Sequence, residues 1–319
     1  MTKQKKALPV FLGLFLLATP SCTRVPDKIE PKIDYSVQDR YLQSLPSSFP
    51  HLTEEEKREE WGKEYRIAKG FAGELDLYRA ITAFKRALYL LPKEAKERKL
   101  ELQYEVILCY YIGKKYEEAI RTFENSELKF MPAEFPPKED LLTILFDSYS
   151  QTNQTEKANQ VLEYMASYYL ETAAKLQLAR ALLDGNVASV KEFATKPGYD
   201  YLSPLLDCYG KSKKSIAKAQ TLNAVLPGTG YLYLGQKQSA MTAFLLNGLF
   251  IGTSYYFFHK GNIPAGIIFT GFEAGWYFGG IYGAGEEAKF YNERIYERCA
   301  TPVMNKQKLF PILSLRYAF

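Results

Sequence analysis

Small and bulky side chains recur along the first half of the chain with a fixed step. Ala80, Phe84 and Ala87 are followed by Ala119, Phe123 and Ser126 and then by Ala158, Leu162 and Met165, each set 39 residues after the last. Intervals of four and three residues place each set on one helix face, because that is where the helical turn returns. A bulky trio precedes each set: Ile67, Ala68 and Phe71; Val106, Ile107 and Tyr110; Leu145, Phe146 and Tyr149. The pattern predicts three helix pairs, with Pro92 ending the first. A fourth step would put Pro197 on a packing position, so the regularity stops. Residues 172–194, broken at Asp184-Gly185-Asn186, are expected to form a helical hairpin that closes the stack.

The second half has a different pattern. Lys211, Lys213, Lys214 and Lys218 open a stretch in which Ile216, Ala219, Leu222 and Val225 recur every three residues, as on a helix lying in a membrane interface; a solvated lysine linker is the alternative. After the turn Pro227-Gly228-Thr229-Gly230, residues 240–258 carry no formal charge and 263–285 carry only Glu273, with a short polar turn between. These lengths predict two membrane-spanning helices in a hairpin. Gly271, Gly275, Gly279 and Gly283 repeat every fourth residue on one helix, and Gly248 and Gly252 do so on the other. Bare backbone surfaces of this kind let helices approach in lipid, so these glycines are the expected packing face. Glu273 lies about 200° round the helix from that face and is the one acidic residue at bilayer depth, which makes it a functional candidate; Asn247 or a partner protein is expected to satisfy it. Leu313, Leu315, Tyr317 and Phe319 alternate with Ser314, Arg316 and Ala318, a strand pattern. It resembles the terminal strand of outer-membrane barrels, and is read as a strand that docks on a partner's sheet edge or as an interfacial tail.

At the other end Lys3, Lys5 and Lys6 precede an apolar run of about 12 residues, the proportions of a signal peptide rather than a spanning helix. The run ends at Ser21-Cys22, which resembles the lipobox of bacterial lipoproteins and implies lipidation of Cys22; Thr19 and Pro20 depart from that pattern. Ordinary cleavage nearby and retention as a weak anchor are the alternatives. Residues 22–60, proline-bearing and without sustained period, read as a tether.

Trp61, Phe71, Ala80, Phe84, Ala87 and Pro92 keep the relative spacing of tetratricopeptide repeats, and Tyr110, Tyr116, Ala119 and Phe123 keep it again; residues 61–166 resemble that family. The family's unit is about 34 residues, so loops such as 131–140 or longer second helices must absorb the excess. The resemblance implies a groove lined by the first helix of each pair and offers Tyr65, Lys69, Glu101, Tyr104, Tyr111, Asp140 and Asp147 as partner contacts, with simple solvation of most of them as the alternative. The Lys/Asn set that clamps a peptide carboxylate in some relatives is not matched. Residues 203–293, with Pro227 to Gly235, Gly275-Trp276-Tyr277 and Ile281-Tyr282-Gly283-Ala284, resemble the membrane segment of an uncharacterised group of bacterial envelope proteins that also carry helical repeats.

Composition narrows the function. A net charge of +5 on 319 residues is mild, a nucleic-acid role would need a concentrated basic face carrying stacking aromatics, and the only dense lysine cluster sits elsewhere, so no nucleic acid is expected. Two histidines and four cysteines without metal-ligand spacing imply no metal and no cofactor, and no nucleophile–base pair or phosphate loop points to an enzyme. Cys208 and Cys299 are read, with Cys109, as buried free thiols, although the first two flank the hairpin and could pair. The expected fold is all-α: signal peptide 1–21, tether 22–60, tetratricopeptide-like stack 61–198, basic connector 199–226, transmembrane hairpin 227–289 and tail 290–319. Five lysines before the hairpin would put the repeats in the cytoplasm by the positive-inside rule, whereas the signal peptide puts them in the periplasm; export is taken to win, because long domains are translocated largely regardless of charge. The expected function is a non-enzymatic envelope scaffold whose groove binds another protein and whose other parts bind membrane lipid. The alternative is a component of a membrane-assembly or transport machine whose hairpin acts through Glu273.

Overall fold

The computed structural model describes residues 25–33 and 39–319, so the signal peptide and Cys22 lie outside the described residues. Among these residues the chain is all-α, with one isolated β-bridge and no strand. It divides into two compact units, one of 39–183 with Thr301–Phe319, the other of 25–33 with Asp184–Ala300.

In the first unit a short helix α1 (Asp39–Gln43) precedes α2 (Glu60–Gly73), α3 (Leu77–Leu90), α4 (Lys96–Ile112), α5 (Tyr116–Glu124), α6 (Lys138–Gln151), α7 (Thr155–Tyr168) and α8 (Leu170–Leu183). From α2 to α8 each helix packs on the next. The residues that set the 39-residue step are where close packing needs them: Ala80, Phe84, Ala87, Ala119, Ala158 and Met165 are all fully buried. Ile67 departs from expectation, being half exposed while Ala68 beside it is buried.

The step is repeated in the backbone. Leu75, Lys114 and Asn153, again 39 residues apart, adopt φ of 59°, 55° and 58° just beyond α2, α4 and α6. At each, the left-handed residue donates to a carbonyl three back and the next residue to one five back: Leu75 to Ala72 and Asp76 to Phe71, Lys114 to Tyr111 and Lys115 to Tyr110, Asn153 to Ser150 and Gln154 to Tyr149. These bonds satisfy carbonyls that a helix end leaves open. Only Asn153 is a residue type that tolerates this conformation well. The extra length over a shorter repeat sits partly in a 3-10 turn, Glu127–Phe130, and the loop after it.

The expected tether and tail are not free chain. Leu52 joins the apolar cluster of Trp61, Tyr65, Ala68 and Phe84, and Phe319 packs against the same cluster. Tyr41 of α1 donates to the carbonyls of Leu313 and Leu315 at 2.9 and 3.3 Å. The closing hairpin of 172–194 is divided, since α8 belongs to this unit and residues from Asp184 belong to the other.

The second unit contains α9 (Val187–Ala194), α10 (Ser203–Ser212), α11 (Ile216–Val225), α12 (Thr229–Tyr233), α13 (Lys237–His259) and most of α14 (Ile263–Lys306). Val25, Ile216, Ala219, Leu234 and Ala288 form a core cluster. The inner stripe of α11 is therefore Ile216, Ala219 and Asn223, with Val225 exposed, and it faces protein rather than a membrane interface. Lys214 sits over the rings of Tyr233 and Tyr291. Gly228, at φ 97°, and Gly230 are the close-approach glycines: a Cβ would lie 2.3 Å from the Ala240 carbonyl oxygen at the first and 2.4 Å from that of Ala219 at the second.

Cys208 of α10 and Cys299 of α14 form a disulfide with Cα atoms 6.0 Å apart, which corrects the expectation of free thiols for this pair; Cys109 is a buried free thiol. Each cysteine lies beside an aromatic of the pair Tyr209 and Tyr296, whose rings meet edge to face at 5.4 Å.

The helix α13 is long and apolar enough to cross a membrane. Its outward side chains are large and apolar, among them Phe244, Leu245, Leu249, Ile251 and Tyr255. Where α14 runs back beside it, contact is through rings: Phe257 with Phe269 at 5.4 Å, and Phe250 with Phe272 and Trp276 at 6.3 and 6.5 Å. The glycines are not the contact. A Cβ on Gly248, Gly252, Gly271, Gly275 or Gly279 would meet nothing within 4 Å, and on Gly283 it would meet only the Tyr231 ring. Contact between the two helices is made by these rings, and the bare glycine positions face open space. The second helix also continues past 285 without a break, for 44 residues in all.

Candidate functional site

The first helices α2, α4 and α6 carry every expected partner contact, and their side chains are tied to one another. Tyr65 donates to Glu101 at 2.5 Å, Lys69 to Glu105 at 2.9 Å and Tyr111 to Asp147 at 2.7 Å, each across 36 residues. Two bonds thus join α2 to α4 and one joins α4 to α6. Glu101, Glu105, Asp140 and Asp147 are all nearly or fully buried. Of the expected contacts, Tyr65, Lys69, Glu101, Tyr111 and Asp147 are bonded in this ladder and all but Lys69 are buried, so they are not simply solvated.

Burial of acids is costly unless donors surround them. Arg98 meets this need at Glu101, donating at 2.6 Å, and also bonds Glu56 and the carbonyls of Pro50 and His51. Burial raises the carboxyl of Glu105 above the ordinary range, opposed by Lys69. Burial raises that of Asp147 as well, opposed by the hydrogen bonds from Tyr111 and Gln151. Tyr104 is wedged between Phe49 and Phe135, both ring contacts near 6 Å, and its hydroxyl has no partner.

Asp140 is used differently. One carboxylate oxygen accepts the backbone N–H groups of Arg316 and Tyr317, both at 2.9 Å. The Arg316 guanidinium reaches Glu139 at 2.6 Å and Asp140 at 3.6 Å. Two residues on, Ala318 donates to the Pro46 carbonyl at 3.0 Å and bridges Ser47 in parallel. Ser47 in turn accepts from Lys69 at 3.2 Å. The face is therefore covered by two pieces of the same chain, 44–53 and 313–319. The tail does not alternate as a strand: Leu315 and Ala318 are buried, Arg316 is exposed and Tyr317 is intermediate. Burial pushes the Asp140 carboxyl up to about 6, against the lowering influence of the two N–H groups and Arg316.

Sequence reasoning missed Ser47, Arg98, Arg316 and Tyr317. The covering segments lie far from the repeats in sequence, and no periodicity links them to a groove. Beside the strap, a cleft of about 880 Å³ is edged by Phe49, Glu56, Glu97, Arg98, Glu134 and Phe135.

The second unit holds its own polar oddities. Asn247 donates to the Ala243 carbonyl at 2.6 Å, but its Oδ1, the Ser254 hydroxyl and Oε2 of Glu273 are buried without a partner. The expected pairing of Glu273 with Asn247 is thus not made. Gly275, Gly279, Gly280 and Gly283 floor a cleft of about 660 Å³ with Trp276 and Tyr231. Among the described residues no group of three or more His, Cys, Asp or Glu could hold a metal ion. Comparison with protein-family models, with curated proteins and with solved structures finds no match for this chain.

Proposed function

We propose that this protein is a non-enzymatic scaffold of the bacterial cell envelope, a lipoprotein anchored at Cys22 whose tetratricopeptide-like repeat unit holds extended polypeptide in the periplasm. In this reading α13 and the first half of α14 form a transmembrane hairpin. The observation that carries it is the seating of an extended segment on the first-helix face, held through backbone N–H groups by Asp140. Hydrogen bonds to a ligand's main chain give affinity for extended polypeptide, as they do where a strand adds to a sheet edge. The outward apolar side chains of α13 support lipid contact, and the Cys208–Cys299 disulfide supports an oxidising compartment. Carbonate extraction of membranes together with crosslinking in intact cells tests the proposal. A protein released by carbonate, or one that captures no partner, would refute it.

A second reading, in which the hairpin belongs to a membrane-assembly or transport machine, is favoured by one observation: the partnerless polar atoms of Asn247, Ser254 and Glu273. Polar groups without partners are costly in lipid and are retained where they act. Glu273→Gln separates the two readings, since loss of activity with partner capture intact favours the machine.

A further inference from the structure

The groove shows what it holds. Leu315 is buried, the N–H groups of Arg316 and Tyr317 are taken by Asp140, the Arg316 side chain lies between Glu139 and Asp140, Ala318 is pinned to Pro46 and Ser47, and Phe319 packs on the cluster around Trp61 and Phe84. These contacts differ in kind from the core that precedes them. Phe310 and Ile312 are buried in the core, whereas Arg316 is half exposed and the residues around it are held by hydrogen bonds to Asp140 and the Pro46 carbonyl. The segment is attached by contacts that another polypeptide can reproduce.

We propose that this face is a binding site for an extended segment of another protein with the order apolar, basic, aromatic, small, aromatic, and that residues 315–319 occupy it as an exchangeable self-ligand. The proposal rests on the scaffold reading above and specifies the partner for its site. The chemistry that selects the ligand is on the page. The acidic pair Glu139 and Asp140 calls for a cation at the second position, while Asp140 also requires two successive free N–H groups and so excludes proline at the second and third. Ala318 lies against the strap, where its N–H must reach Pro46, so a small residue fits the fourth position; the last side chain must be apolar to join the cluster that receives Phe319.

An intramolecular ligand competes at high effective concentration, so an added peptide must bind weakly to the wild type. The test uses detergent-solubilised full-length protein and a fluorescein-labelled peptide of residues 313–319, followed by anisotropy. Tyr317→Pro removes one N–H that Asp140 accepts and should loosen the self-ligand, making the peptide bind at least ten-fold more tightly than to the wild type. Replacing Arg316 by Glu in the peptide should cost at least ten-fold in affinity. Equal binding to wild type and Tyr317→Pro, or no saturable binding to Tyr317→Pro with its helicity intact, overturns the proposal. A second measurement needs no variant: in the wild type, the amides of Arg316 and Tyr317 should exchange hydrogen well before those of α4. Exchange only on global unfolding of the unit would make the segment a permanent part of the fold and equally overturn it. A crosslinked partner that maps away from α2, α4 and α6, with no peptide binding, sinks this inference and leaves the scaffold reading standing.

Discussion

Replacing Asp140 by Asn isolates the cost of burying a charge at the point where the chain closes on itself. Asp140 is about 1% exposed, and its carboxyl is raised from 3.8 to about 6, first by burial and then by the neighbouring Glu139, with the Arg316 and Tyr317 N–H groups and the Arg316 charge pulling the other way. Tyr41 and Tyr104 also face it, since its charge raises both phenols in addition to their own burial. The sign follows from linkage. A carboxyl whose pKa is higher folded than unfolded holds its proton more tightly in the native state, so its contribution is fully present below pH 3.8 and is lost as pH rises through about 6. At about 1.4 kcal/mol per pH unit the change amounts to about 3 kcal/mol.

Asn keeps an acceptor for the same N–H groups and has no proton to lose. The stability of the wild type minus that of Asp140→Asn should therefore fall by about 3 kcal/mol between pH 3.5 and 7.5, with most of the change between 4 and 6. Urea unfolding followed through Trp61, which is buried in this unit, measures it in a Trp276→Phe background. The difference is the quantity to use, because other groups titrate over the same range and cancel in it. A flat difference, or one that rises with pH, would mean that hydrogen bonds to the ionised carboxylate outweigh its desolvation.

Other consequences are simpler to check. Leu75→Gly relieves a left-handed conformation that leucine disfavours and should stabilise the repeat unit by about 0.5 to 1 kcal/mol, read as a higher urea midpoint with unchanged slope. Gly228→Ala, whose Cβ meets a backbone oxygen, should cost more than about 2 kcal/mol, whereas Gly275→Ala should be neutral or slightly stabilising; thermal unfolding followed through Trp276 compares them, and equal losses would restore the glycine-packed hairpin. Cys208→Ser opens a crosslink spanning 91 residues and should lower stability by about 2 to 4 kcal/mol, with the same loss on adding reductant to the wild type. Cys22→Ser should abolish labelling by a fatty-acid probe, and undiminished labelling would require another anchor.

What the sequence made legible was local. The 39-residue step follows from alanines and aromatics that must be buried at fixed intervals, and the same step reappears in the backbone at Leu75, Lys114 and Asn153, where only the last residue type hints at it. The apolar run of α13 is equally plain in composition. Readings that needed a partner from elsewhere in the chain went wrong together. The glycine register of α14 is real, but the rings of Phe269, Phe272 and Trp276 make the contact with α13 and the glycines face open space, which spacing alone does not say. Cys208 and Cys299 pair across 91 residues, and the odd Cys109 argued against a bridge that the fold permits. The expected partner contacts lie on α2, α4 and α6, yet what surrounds them is set in part by 44–53 and 313–319, which no repeat pattern connects to them.

The buried acids explain why those two segments are there. Glu101, Glu105, Asp140 and Asp147 lie on neighbouring first helices, and a ladder of carboxylates this dense is tolerable only where each finds donors. Lys69, Arg98, Tyr65 and Tyr111 supply three of the four from within the repeats. Asp140 has no such donor on the first helices and takes its two from the chain's last residues. Burial raises the Asp140 carboxyl, while those two N–H groups and the Arg316 charge lower it, so the direct contacts of the segment are ones that favour the ionised acid.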